Sequence, residues 1–358
     1  MRIVSVQYVQ SNFGDPQAWL NRIDFYTGIF DELAKQFDVH VFYHTRYGGH
    51  SESNHVKYHF TGIDGWSLKF PFGFHRQIAK LNPDIILAQG FHHPFQLWLL
   101  KKQLRKGVQF FIHHHADRPL RFPRNFFQRR IDHFVAGYFF VSRQQAEEWI
   151  HTKQIGDERK VHEVMECSSI YRPIDRGGAR EKTKVNGKIY LWVGRLESNK
   201  DPLTLIKAFV KFLMSENEAS LYLIYQQDDL LEESKALAQG HDRIIFVGRQ
   251  DKEQLRYWYN SADFIVSTSH YEGSGIAVCE AMSCGCIPVL SSIASFRWMT
   301  NEKVGLHFNA GDVDQLCQAL EKSLQLDMSM ERKAVIENFQ RRLSFLAIAS
   351  AMANAFSK

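Results

Sequence analysis

DFIVSTSHYEGSGIAVCEAMSCGCIPVL, residues 263–290, is the stretch whose reading decides the fold. DFIVSTS is an apolar run of strand length, residues 271–274 form its exit loop, and GIAVCEAMSCG has the small and apolar spacing of a buried helix starting near Gly275. IPVLSS (287–292) is then a second strand. A strand, a helix and a strand in such close succession make a parallel crossover unit.

The same rhythm extends in both directions. KIYLWVG (188–194), LYLIYQ (221–226), RIIFVG (243–248) and VGLHF (304–308) are further strands, with helical periods between them. Earlier in the chain, RIVSVQYV (2–9), VHVFYH (39–44), DIILAQ (84–89), QFFIHH (109–114), YFFVS (138–142) and VHEVME (161–166) repeat the pattern. AWLNRIDFYTGIFDELAKQF (18–37) is long enough to be a crossover helix between two of them. The rhythm breaks at CSSIYRPIDRGGAREKTKVNGK (167–188), whose Pro, paired Gly and alternating charges read as a linker. The expectation is an α/β protein of two doubly wound parallel-sheet domains, residues 1–170 and 185–335, facing across a cleft. The apolar-periodic tail, about residues 338–358, is expected to pack back on the first domain.

Composition agrees with two ordinary cores: 358 residues, 44% hydrophobic and 23% charged. Nowhere do about 18 apolar residues run without a charge, and the N-terminus lacks a secretory pattern, so a cytoplasmic protein is expected. Cys167, Cys279, Cys284, Cys286 and Cys317 contain no C-x-x-C spacing and read as free thiols rather than disulfides or metal ligands. The net charge of +5 is uneven: residues 1–172 carry +6, and Lys101–Arg130 holds nine basic residues against Asp117 alone. Interleaved with Phe122, Phe126 and Phe127, that stretch suits peripheral contact with an anionic membrane. Nucleic acid is not expected, since no recognisable reading module accompanies the charge.

Site chemistry concentrates in the second half. Arg195 follows the strand ending at Gly194, and Lys200 precedes an Asp201-Pro202 helix start, so both sit at one sheet mouth where a fork and a point charge can clamp a diphosphate. The helix starting near Gly275 offers free N–H groups and a partial positive charge to a phosphate. Glu280, further along that helix, can accept from the vicinal hydroxyls of a ribose, and Glu272, in the loop, from those of a second sugar. A ligand that needs phosphate donors and hydroxyl acceptors together is a nucleoside diphosphate sugar.

E-G-S-G-I-A-V-C-E (272–280), with carboxylates eight apart, resembles the E-x7-E signature of retaining glycosyltransferases of the two-domain Rossmann-like type (GT-B), family 4 or group 1. VGRLESNKDPLTLIKAF, RIIFVGRQDKEQLRYWYNSADFIVSTSHYEGSGIAVCEAMSCGCIPVL and GLHFNAGDVDQL are similar to that family's donor domain in order and spacing, over roughly residues 188–320. The resemblance implies that Arg195 and Lys200 hold the donor diphosphate, Glu280 binds ribose, Glu272 orients the transferred sugar, and the backbone of Gly273, Ser274 and Gly275 lies along sugar and phosphates. It also implies retention by front-face attack without metal or cofactor, the nucleotide sugar being a co-substrate. From the basic stretch Lys101–Arg130, rather than from the resemblance, a glycan or lipid-linked acceptor in surface polysaccharide or glycoconjugate synthesis is expected. Where the family has paired glycines and then Pro-Glu, this chain reads IASFRWM, so Ser295, Phe296 and Arg297 are candidates for altered base or sugar contacts.

In the first half, SNFGDPQAW replaces the family's glycine pair, leaving Gly14 as the one close backbone approach to donor, with Asn12 or Asp15 available to an acceptor. The family places a histidine near the transferred sugar, and IHHHADRP (112–119) offers His114 and His115. Three rival functions are open to this chemistry: a nucleotide-sugar epimerase of the same fold, a sugar-nucleotide binding module without catalysis, and a metal hydrolase using His113, His115 and Asp117 with His92 or His93.

Overall fold

A computed structural model describes residues 1–11, 15–45, 48–62, 65–115, 117–215 and 218–357, with no side chain described at 10 or 11. It divides the chain into two compact units: residues 1–168 with 345–358, and residues 169–344. Each is a parallel α/β sheet structure.

In unit 1 the strands are β1 (Arg2–Ser11), β2 (Asp38–Thr45), β3 (Gly49–Ser53), β4 (Val56–Thr61), β5 (Ile85–Gln89), β6 (Gln109–His113), β7 (Val135–Phe140) and β8 (Val161–Glu163). The sheet order is β3-β4-β2-β1-β5-β6-β7-β8, parallel throughout except that β3 runs against β4. The central strands are buried on both faces, as in β2, where seven of eight residues are buried, because helices cover both sides. The β3–β4 hairpin is absent from the sequence expectation. GHSES contains no apolar residue, and the hairpin is instead made by Asn54 and His55, both at positive φ, the geometry of a tight two-residue turn. The tail helix Phe345–Phe356 packs on Asp24–Ala34, where Gly28 leaves room for it: a Cβ there would lie 2.7 Å from the Phe345 ring. The tail is therefore broken at Leu343 and Ser344, and the preceding helix Met328–Arg342 belongs to unit 2.

Unit 2 contains β9 (Lys188–Gly194), β10 (Ala219–Tyr225), β11 (Ile244–Phe246), β12 (Phe264–Ser267), β13 (Ile287–Ser291) and β14 (Leu306–Phe308). All pairings are parallel, in the order β11-β10-β9-β12-β13-β14, so the direction of winding reverses between β9 and β12. The linker expectation for 167–188 is corrected here. That run contains the helix Arg176–Thr183, packed on the helix Lys252–Ser261 inside unit 2. Two of its charges are structural: Arg176 and Arg180 both pair with Asp263, the residue before β12, as does Arg332 at 3.2 Å. Asp263 also accepts from the Ile189 N–H at 2.9 Å, which ties the helix to the start of β9.

Burial of imidazoles is concentrated in unit 1. For His40, His59, His75, His93, His113 and His114 the leading effect is loss of water around the charged ring, which lowers the pKa, to about 4 for His59, His75 and His93. Two others go up: His92 through its bond to Asp117, and His115, where burial opposes the charge but Glu166 outweighs it. The six lowered rings contribute stability that is present above the unfolded pKa near 6.5 and lost as pH falls through their lowered values, about 4 for His59, His75 and His93; the two raised rings contribute in the opposite sense. Acid therefore weakens unit 1, by about 1.4 kcal/mol per pH unit for each excess proton taken up on unfolding. Among the described histidines of unit 2, His307 alone is lowered. Limited proteolysis at pH 5 should cut unit 1 ahead of unit 2, and no such order should hold at pH 7.5. Equal resistance of the two units at pH 5 contradicts this.

Candidate active site

β9 and β12 are neighbours whose exit loops leave the carboxyl edge side by side, at the place where strand order reverses. Four bonds stitch these loops together. Thr268 Oγ1 donates to the Lys200 carbonyl (2.7 Å), the His270 N–H to the Asn199 carbonyl (2.9 Å), and Asn199 Nδ2 to the Tyr271 carbonyl (3.0 Å), while His270 Nε2 lies 3.0 Å from Asp201 Oδ2. Asp201 also caps the next helix, its Oδ1 accepting from the Thr204 N–H at 3.1 Å, with Pro202 in the first turn. The consequence is that Lys200 Nζ and Glu272 Oε1 are in direct contact, both side chains more than four-fifths buried. Ser269 Oγ donates to the same Glu272 oxygen at 2.7 Å.

Glu272 leads into Gly273, Ser274 and Gly275, all buried, and the helix Ile276–Ser283 begins immediately after. Gly275 has φ +63°, and a Cβ on it would sit 2.5 Å from Cε1 of Phe296. Phe296 is fully buried, and Ser295 nearly so. In the altered IASFRWM stretch Phe296 supplies packing under Gly275, and Arg297 donates to the Ser292 carbonyl at 2.8 Å. Glu280 is oriented by Tyr259, whose hydroxyl donates to its Oε2 at 2.8 Å. Burial, and then the Glu280 charge, push the Tyr259 phenol well up, so it stays protonated and remains a donor. Arg195 is half exposed and pairs with Glu197 at 2.8 Å. The structure therefore joins Lys200 to Glu272 and gives Arg195 and Glu280 partners of their own. Tyr259, Thr268 and Asn199 escaped sequence reading, because each acts through a contact distant along the chain, and so did Ser269, which acts on Glu272 three residues on.

In unit 1, Gly14 and Asn12 lie outside the described residues. Asp15 caps the helix Pro16–Arg22, accepting from the Ala18 N–H at 2.7 Å. The two candidate histidines differ sharply. His114 is buried, stacks on Phe140 at 4.5 Å and donates from Nε2 to the Asp117 carbonyl at 2.9 Å. His115 is partly accessible and lies between two acceptors, Glu166 Oε1 at 2.6 Å and Gln89 Oε1 at 2.8 Å. Acceptors on both ring nitrogens favour the doubly protonated imidazolium, in keeping with its raised pKa. His92 contacts Asp117 at 2.6 Å. Among the described residues no group of three or more His, Cys, Asp or Glu is placed to hold a metal ion, so the metal hydrolase reading has no ligand set there.

The glycosyl transferases group 1 family model matches residues 176–342, and the glycosyltransferase family 4 model matches residues 28–163. The chain belongs to the GT-B glycosyltransferases of family 4 and group 1. This family member is 33% identical over 120 residues to a GDP-mannose:cellobiosyl-diphosphopolyprenol alpha-mannosyltransferase of Xanthomonas oryzae, covering 32% of each chain. It is 30% identical over 181 residues to O-antigen chain mannosyltransferase B of Escherichia coli, covering 48% of this chain and 46% of that one. These matches span about a third to a half of the relatives' own length. In fold, the GT-B chain is similar to a sucrose-phosphate synthase from Thermosynechococcus elongatus (TM-score 0.73, 20% identity, 99% and 98% of the two chains). It is also similar to Anabaena HepE, solved with UDP and glucose (TM-score 0.70, 15% identity, 100% and 99%).

Proposed function

We propose that this protein is a retaining, metal-independent glycosyltransferase that moves a hexose from a nucleoside diphosphate sugar to a glycan or lipid-linked glycan acceptor. The observation that carries the reading is the contact of Lys200 with Glu272 at the reversal point of the unit 2 sheet, beside the start of the helix Ile276–Ser283. In a nucleotide sugar the anomeric carbon lies between the phosphate and the sugar hydroxyls. A phosphate-binding cation touching a hydroxyl-accepting carboxylate is what that junction requires.

In this reading Lys200, Arg195 and the N–H groups of Gly275 and the helix start neutralise the diphosphate, most strongly as charge grows on the leaving oxygen. Glu272 accepts from a hydroxyl of the transferred sugar, and Glu280, held by Tyr259, from the ribose. The bond from C1 to the phosphate oxygen breaks, and the acceptor oxygen bonds to C1 from the same face. Its proton passes to the departing phosphate, and the configuration at C1 is retained. In unit 1, His115 contributes positive charge, both of its ring N–H groups being engaged by Glu166 and Gln89. Surface polysaccharide or glycoconjugate synthesis is the setting that the mannosyltransferase relatives suggest, and GDP-mannose is the first donor to try.

The test is thermal stabilisation of the purified protein by nucleoside diphosphates and their sugars in the presence of a chelator. One diphosphate and its sugar should raise the melting temperature. No shift with any nucleotide in a folded sample contradicts the proposal, and sugar isomerisation without an acceptor would favour an epimerase.

A further inference from the structure

Every exposed Trp and Phe among the described residues lies in two segments of unit 1: Trp66, Phe70 and Phe72 in one, Phe122 and Phe126 in the other. Trp66 and Phe122 are the extremes, with 77% and 83% of their surface in water. The two segments form one surface, because ring contacts run between them without a break. Trp66 stacks on Phe70 (5.5 Å) and Phe70 meets Phe95 (5.7 Å); Phe95 then meets Phe127 (4.9 Å), which meets Phe126 (5.4 Å). Phe72 joins through Phe70 at 6.2 Å, and Phe122 sits in the turn leading into the helix Arg124–Asp132.

The charge in the two segments is predominantly positive. Residues 65–80 and 94–132 contain twelve Lys and Arg and two acids, Asp117 and Asp132. Asp117 is buried with its two oxygens taken by His92 and the Phe91 N–H, and Asp132 accepts from the Tyr138 hydroxyl and pairs with Lys160. Cations also flank the rings directly: Lys102 Nζ lies 3.4 Å from the Trp98 ring centre and Lys69 Nζ 6.0 Å from that of Trp66, while Arg121 and Arg124 are exposed on either side of Phe122.

We propose that this face of unit 1 docks on an anionic lipid bilayer, its exposed rings entering the boundary between headgroups and acyl chains while the surrounding arginines and lysines meet lipid phosphates. Exposed apolar rings rimmed by cations match both layers of that interface, whereas a soluble polyanion would satisfy the charges and leave the rings in water. The contact proposed is peripheral; among the described residues no helix is long and apolar enough to cross a membrane. The proposal goes beyond the donor reading, stands on unit 1 alone, and adds that a lipid-linked acceptor would be met at this face.

Full-length protein is sedimented with phosphatidylcholine vesicles, with and without phosphatidylglycerol, across a salt series, and tryptophan emission is recorded in the same samples. Partitioning should be at least about tenfold stronger onto the anionic vesicles, weaken with salt and shift emission to the blue. The triple variant Trp66→Ser, Phe122→Ser, Phe126→Ser keeps every charge and replaces only exposed side chains. It should lose about tenfold or more of the partitioning at the same salt. No binding to anionic vesicles at low salt overturns the proposal. So does a triple variant that binds as well as the parent, which would assign the face to a soluble polyanion. Nucleotide-dependent thermal stabilisation, measured on both proteins, reads unit 2 separately: vesicle binding without a nucleotide shift supports the docking face and contradicts the donor site alone.

Discussion

Glu272→Gln is expected to lower turnover about 100-fold, about 2.7 kcal/mol of transition-state stabilisation, while the KM for donor stays within a few-fold of the parent. The glutamine keeps the shape and can still accept from Ser269 Oγ, but it removes the charge opposite Lys200 and weakens the acceptor offered to a sugar hydroxyl. Both losses count most when charge is redistributing across the anomeric bond. Because the two side chains touch, the double variant with Lys200→Ala should fall short of the sum of the single effects, a coupling that a double-mutant cycle reads directly. Equal losses in turnover and donor affinity would assign Glu272 to holding the ground state. Additive effects would separate it from Lys200.

Asp263→Asn is expected to destabilise unit 2 by about 3–5 kcal/mol, because it leaves three arginines clustered without their common counter-charge. At the size of this unit that corresponds to a fall of about 10 °C in its melting transition. The helix Arg176–Thr183 should loosen first, since two of its arginines end on that carboxylate, and proteolysis between residues 169 and 188 should accelerate. The cluster lies at the starts of β9 and β12 and the donor residues at their ends, so nucleotide binding at low temperature should be retained. An unchanged melting transition would mean that the cluster contributes little net stability.

The Asp263 cluster also explains a limit of the sequence reading. Alternating charge in 176–183 looks solvated along the chain, and only a carboxylate some eighty residues away makes it structural. The parallel strands other than β4, and the helix after Gly275, were legible, because long apolar runs and a glycine at a strand exit leave little choice of structure. β3 was not, since its polar residues form a strand only through pairing with β4. The site divides in the same way. Arg195, Lys200, Glu272 and Glu280 could be named from their places beside strand and helix ends, but the contact of Lys200 with Glu272, the support of Glu280 by Tyr259 and the seat of His115 between Glu166 and Gln89 are tertiary. Alternation along a strand could not separate His114 from His115, because β6 ends at His113 and the period of two ends with it.

The central claim is that unit 2 holds a nucleoside diphosphate at the carboxyl ends of β9 and β12 through Lys200. Its most direct test is calorimetric titration of the diphosphate that best stabilises the protein into the parent and Lys200→Ala, in a chelator, with both proteins confirmed folded by circular dichroism. The account predicts saturable binding to the parent, weakened about tenfold or more in the variant. Undiminished binding to Lys200→Ala, or no binding to the parent, would contradict it.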